Sequence, residues 1–464
     1  MVFSTSLFLF YFLPLVLLIY YVSPIRLRNF VLLISSLFFY YWGEQTLTVI
    51  MLLSIGIDYT HGLIVSHCKE AGYDTAAKCA VASSVIFNLT ILFFFKYWDF
   101  AAISLQNAGI DFLPVLNVSL PIGISFYTFQ TMSYTIDVYR GDSKVQKNII
   151  HFGTFVTLFP QLIAGPIIKY KDLDEQLGSR KHSLCMFASG VRRFLVGLAK
   201  KMLLANNLGQ LWDVYKAAPP EDLTVFGAWL GITAFAFQIY FDFSGYSDMA
   251  IGLGRMFGFE FMENFNYPYI SKSITEFWRR WHISLSTWFR EYLYFPLGGN
   301  RCSKGRWLLN LLVVWAATGI WHGASWNYLF WGLYFFVLLV LEKCLWGKWL
   351  SGLPALLQHF YVIALVLISW AIFALEDLTQ LGSYLQAMAA LNGAPLLNGQ
   401  TLYYLRNYLP VLIIAAFGST PLAKCLWERI SGNSIRLLIL IAGIILCTAY
   451  VVASTYNPFL YFRF

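Results

Sequence analysis

Long uninterrupted apolar runs constrain this chain more than any other feature. Leu308 to Ile320 and Tyr328 to Leu341 are two of them, and others of roughly 20 residues recur from end to end, a length that lets a helix cross a ~30 Å hydrocarbon core. Of the 464 residues, 58% are hydrophobic and 12% charged, about half the charge of an average globular chain. Continuous rather than alternating runs exclude a β-barrel. The expected fold is all-α: a polytopic integral membrane protein with about 11–12 transmembrane helices plus interfacial and re-entrant helices, organised as one membrane domain over 1–464.

Candidate spans lie at about 5–23, 29–42, 46–66, 77–96, 118–138, 187–213, 224–243, 307–321, 326–345, 359–376, 403–421 and 434–455. The first has no basic flank and no small-residue cleavage site, so it reads as a retained helix rather than a signal peptide. Segment 149–168 is interrupted by Pro160, Gly165 and Pro166, as expected of a re-entrant or cavity-lining stretch. Arg26 and Arg28, Lys69 and Lys78, Arg140, Lys144 and Lys147, the cluster from Arg279 to Arg306, and Lys424, Arg429 and Arg436 occupy loops. Placing these loops inside puts both termini outside the inner membrane. The net charge of +8 thus reads as topology, with no nucleic acid implied. Seven scattered cysteines without a CxxC or Cys/His cluster read as free thiols, with no metal site.

Residues 271–300 interleave aromatics with cations and contain no long apolar run. Such a stretch lies at an interface or lines a polar cavity; a simple interfacial helix leaves His282 unexplained. Seven histidines are present. His67, His151, His182 and His359 fall at span ends or in loops and read as interfacial. His61 lies three residues after Asp58, on the same helix face, where the two are expected to hold a polar interior together. His322 is the sharpest case, because it sits between two apolar runs. An ionisable residue at bilayer depth is costly and marks function by default, and histidine moves protons near neutral pH.

Signatures of soluble enzymes are absent: no Gly-x-Ser-x-Gly elbow, no phosphate-binding P-loop. Gly252, Gly254 and Gly258 have the wrong spacing for a dinucleotide loop and read as a packing turn. Asp242 and Asp248 sit among hydroxyls at the expected end of a span. They read as a polar helix terminus, with Asp242 also able to orient an imidazole or a guanidinium.

Four motifs carry a family resemblance: YFDFSGYSDMA (240–250), FWRRWHISLSTW (277–288), YFPLGGN (294–300) and GIWHG (319–323). Together they resemble the membrane-bound O-acyltransferase family, most closely its bacterial branch that O-acetylates alginate and related exopolysaccharides; peptidoglycan O-acetylation and teichoic-acid D-alanylation proteins are related. The resemblance implies a funnel-like helical fold with a central tunnel. It places the family's near-invariant histidine on His322 and its second motif histidine on His282. It also implies acetyl-CoA as acyl donor, no bound cofactor, and as partners a soluble extracytoplasmic acetyltransferase, the polysaccharide synthesis machinery and membrane lipid. On that reading His322 is the general base, and His282 orients or polarises the thioester carbonyl. Trp281, Trp321, Asp242, Ser325 and Asn327 support the site, with Ser325 and Asn327 as donors. Arg279, Arg280 and Arg290 hold the CoA phosphates. The aromatic tail 456–464 resembles a C-terminal motif of this branch. Tyr461 within it reads either as an acyl carrier or as an aromatic membrane anchor. A transporter and a non-catalytic scaffold are the competing classes; the lack of internal repeats argues against the first.

Overall fold

A computed structural model describes residues 2–163, 165–391, 393–430, 432–453, 456–458 and 460. Helices make up the regular structure, with no strand among the described residues. Among the described residues, six helical stretches are long and apolar enough to cross a membrane, or seven if the bent pair Gly399–Gly418 and Leu422–Arg429 is one span. The stretches are fewer than the expected spans, and two of the differences have evident causes. Ile25–Glu70 runs through two expected spans as a single stretch. Ile124–Arg140 is only 17 residues long and rich in hydroxyls, being buried against protein almost throughout. Helix Asn433–Ala453 shows the opposite condition, with Leu437, Leu438 and Ile445 more than half exposed. In a membrane protein, lipid covers such a face.

The chain forms two compact units, Met1–Phe194 with Ser247–Met262, and Leu195–Tyr246 with Glu263–Phe464. In the first, Asp58 is fully buried and accepts hydrogen bonds from Ser84 (2.6 Å) and Asn88 (2.8 Å). His61 instead bonds the Ile57 carbonyl and Ser83. The two residues therefore hydrogen-bond separate partners, with only a charge interaction between them. The expected interruption near Pro160 is present: helix Ile149–Thr157 stops, and Phe159–Leu162 restarts with Pro160 in its first turn, where a missing N–H costs nothing. This broken stretch is buried in protein, as backbone irregularity at membrane depth must be.

One expected boundary moves. Helix Val225–Met256 continues past residue 243 for a total of 32 residues, so Asp242 and Asp248 lie inside it rather than at a terminus. Each carboxylate has a cation: Lys201 at 2.7 Å from Asp242, and Arg193 at 2.6 Å from Asp248. Ion pairing removes the reason for the helix to end there.

The second unit contains the hairpin of Lys304–His322 and Trp326–Leu341. Gly319 and Gly332 face each other across it. A Cβ on Gly332 would run into the Trp315 carbonyl, and one on Gly319 into that of Tyr328. Small residues let the two backbones approach, which is how helices associate where lipid supplies no hydrophobic drive. Gly332→Val is expected to destabilise the protein by about 1–3 kcal/mol, measured as a lower thermal unfolding midpoint in detergent. An unchanged midpoint would mean that this contact is dispensable.

Candidate active site

His322 is the last residue of helix Lys304–His322 and is 2% exposed. Its Nδ1 lies 2.7 Å from the Thr318 carbonyl, one turn back. A carbonyl only accepts, so Nδ1 carries the proton and Nε2 the lone pair. Three rings box the imidazole edge-to-face: Trp331 at 4.8 Å, Trp321 at 5.1 Å and Phe373 at 5.7 Å. Apolar walls on three sides fix the ring.

His282 is fully buried and sits at a break between helices Ile274–Arg280 and Ile283–Phe289. Residues 271–300 are thus two short helices rather than one amphipathic helix. The first is fixed by Glu342, whose carboxylate accepts from the backbone N–H groups of Ile274 and Thr275, a favourable placement at a helix N-terminus. His282 itself has φ 44°, a left-handed conformation that a branch-bearing residue adopts at a cost and that clusters at functional sites. Asn264 holds it there. The Asn264 side-chain oxygen accepts from His282 Nδ1 (3.1 Å), Ser284 N (3.2 Å) and Ser284 Oγ (2.9 Å), and the Asn264 carbonyl accepts from Ile283 N (3.0 Å). Nδ1 of His282 is again the protonated nitrogen, and its buried Nε2 has no hydrogen-bond partner. Burial, and after it the neighbouring His322 imidazole, push the His282 imidazole well below its usual range, which favours the neutral ring. Trp321 touches both imidazoles, 6.1 Å from His282 and 5.1 Å from His322. Phe243 closes the far side of His282 at 4.7 Å.

A cavity of about 400 Å³ is lined by Trp278, Arg279, Ile283, Ser286, Arg290, Trp315 and Thr318 among others; its walls include the residue after His282 but neither imidazole. Thr318 joins cavity to site, since its carbonyl fixes His322.

Residues 36–351 match the membrane-bound O-acyltransferase (MBOAT) family model. The chain belongs to that family. It is a multi-pass membrane acyltransferase. It is 40% identical to the probable alginate O-acetylase AlgI of Pseudomonas putida over the full length of both chains. It is 45% identical to that of Azotobacter vinelandii over 82% of this chain and 76% of the relative. A peptidoglycan O-acetyltransferase of Helicobacter pylori is 32% identical over 85% of this chain and 81% of its own.

Several residues expected in this acyltransferase site are placed otherwise. Arg279 and Arg290 line the cavity, but Arg280 turns to Glu276 (2.9 Å) and the Asn266 carbonyl. Asn327 is no donor to His322. Its amide bonds the Ile372 and Phe373 carbonyls (3.2 and 3.0 Å), holding Phe373 against the imidazole. Ser325 starts the next helix without a side-chain capping bond. Trp281 is a core residue stacked on Phe277 and tilted against Trp370. Asp242 orients no imidazole; it pairs with Lys201, and both are almost fully buried.

That ion pair receives the C-terminal tail. Lys201 donates to the Pro458 carbonyl, and Asp242 accepts from Leu460 N at 3.0 Å. Tyr456 donates to Asp213 (2.6 Å), and Asn206 donates to the Tyr456 carbonyl. Tyr461 lies outside the described residues. Sequence reasoning passed over Lys201, Asn264 and Thr318. Lys201 had a signal, being a lysine in an expected span, where a charge is functional by default. Asn264 had none. Lys201→Met leaves Asp242 buried and unpaired and is expected to cost about 3–5 kcal/mol. Adding Asp242→Leu is expected to restore most of the lost thermal stability; a double variant no better than the single one would contradict the pairing.

Proposed function

We propose that this protein passes an acetyl group from cytoplasmic acetyl-CoA across the inner membrane for O-acetylation of an extracytoplasmic polysaccharide, alginate or a similar exopolysaccharide. The observation that carries the reading is the two buried imidazoles, each with Nδ1 pinned, together with a cavity that holds two arginines and shares Thr318 with the His322 hydrogen bond. The names of the alginate O-acetylase relatives support the polymer class.

The thioester arm of CoA enters the cavity, with Arg279 and Arg290 at its phosphates. CoA is substrate here, and no resident cofactor is invoked. Nε2 of His322 takes the proton from an acceptor hydroxyl as its oxygen attacks the acetyl carbon. The C–S bond breaks, and the same proton passes to the departing sulfur. His282 serves differently from its sequence-based role. With Nδ1–H committed to Asn264, neutral His282 has only an acceptor to offer at Nε2. In this tautomer it does not polarise a carbonyl as a donor, and because the acceptor's one hydroxyl proton goes to His322, it acts as a neutral wall beside that base. Tyr461, or a hydroxyl of a soluble extracytoplasmic acetyltransferase, is the acceptor, and that partner completes transfer to the sugar. Peptidoglycan O-acetylation is the second reading, supported by the Helicobacter pylori relative; teichoic-acid D-alanylation-type acyl export is the third.

Vesicles loaded with labelled acetyl-CoA test the reaction class. Acyl transfer leaves free CoA inside, in proportion to the label delivered outside, whereas intact acetyl-CoA outside would identify a transporter. In the same assay Tyr461→Phe is expected to lower delivery about tenfold or more if the tail carries the acetyl group. Wild-type delivery would leave the tyrosine as an anchor.

A further inference from the structure

In the first unit, outside the chemistry above, two arginines and a histidine converge on one tyrosine. Arg28 lies over the rings of Tyr20 (5.2 Å) and Tyr21 (5.5 Å), and Arg180 over Phe259 (4.2 Å). Arg28 Nη1 donates to His182 Nδ1 (3.3 Å), the other ring nitrogen of His182 meets the Tyr20 hydroxyl (2.8 Å), and that hydroxyl donates to the Phe257 carbonyl (2.8 Å). Accepting from a guanidinium requires neutral His182. Burial and then both arginines push its imidazole below the usual value. Arg180 donates to Tyr20, the Phe257 carbonyl, Asn29 and the Gln176 carbonyl.

No carboxylate appears among these partners, although the two guanidinium groups repel each other and both arginines are half-buried. Arg28 Nε and Arg180 Nη2 are buried and have no hydrogen-bond partner. Buried cationic donors left unpaired are rare and call for a missing anion. Paired guanidinium forks suit a phosphate group. Around the cluster, Val22, Ile25 and Leu27 are exposed by half or more, an apolar rim that suits acyl chains better than water.

We propose that Arg28, Arg180 and Tyr20 form a binding site for a phosphate-bearing anion, met in the membrane by the headgroup of an anionic phospholipid. Lipid bound there ties the end of the first apolar helix (Phe8–Val22) to the segment after Gly178 by giving both arginines a common counter-charge.

The test uses the full-length protein, purified from vesicles of mixed phosphatidylglycerol and phosphatidylcholine and examined by native mass spectrometry. The expected result is retained phosphatidylglycerol in preference to phosphatidylcholine, reduced about tenfold by Arg28→Gln or Arg180→Gln, and unchanged by Arg26→Gln at the exposed neighbour. Should the glutamine variants misfold, Arg28→Lys keeps the charge and loses the fork, and it is expected to bind more weakly while melting like wild type. A free-phosphate source is read separately, in phosphatidylcholine alone. Thermal stabilisation by millimolar inorganic phosphate, lost in Arg28→Gln, would support the anion site and assign it to soluble phosphate. Equal retention by all variants, or equal loss in Arg26→Gln, with no effect of phosphate, overturns the proposal.

Discussion

The hydrogen bond from His322 Nδ1 to the Thr318 carbonyl is the constraint around which the site is arranged. An imidazole this deep must satisfy one nitrogen to be stable and leave the other basic to be useful. The i−4 carbonyl of its own helix meets the first need at no cost in extra chain. The second depends on what surrounds Nε2. Trp321, Trp331 and Phe373 supply apolar faces that hold the ring without quenching it. Those rings in turn depend on the close packing at Gly319 and Gly332 and on Asn327, which ties Phe373 in place through backbone carbonyls.

His282 solves the same problem by another route. It has no helical carbonyl behind it, because it lies where one short helix stops and the next begins. A side-chain oxygen, that of Asn264, does the work, and the backbone accepts a left-handed conformation to present the ring. The result is two imidazoles of matching tautomer that share Trp321 as a common wall. The two rings thus present their unprotonated nitrogens within one aromatic enclosure. The buried Lys201–Asp242 pair, one residue from the Phe243 that touches His282, connects this arrangement to the C-terminal tail.

The helical membrane fold and the two histidines were legible in the sequence because each signal is local. Apolar run length reports a span, and an imidazole between two such runs is conspicuous by its cost. Signals that depend on distant partners were not legible. Asp242 looked like the polar end of a helix because its cation lies 41 residues earlier, at Lys201, in another element. Arg279 and Arg280 are neighbours in sequence, yet only the first faces the cavity, since Glu276 one turn away captures the second. Asp58 and His61 share a helix face, but each found a better partner on other residues. The role of His282 changed for a similar reason: its tautomer is set by Asn264, and nothing in the local motif announces that bond.

The most direct measurement is the rate of CoA release from acetyl-CoA by His322→Asn. Asparagine can keep the hydrogen bond to Thr318, which Nδ1 makes, while removing the basic Nε2. The account predicts a protein that folds and melts like wild type and still takes up donor, with transfer lowered by about 10²–10⁴. Near wild-type CoA release by a folded His322→Asn protein would contradict it.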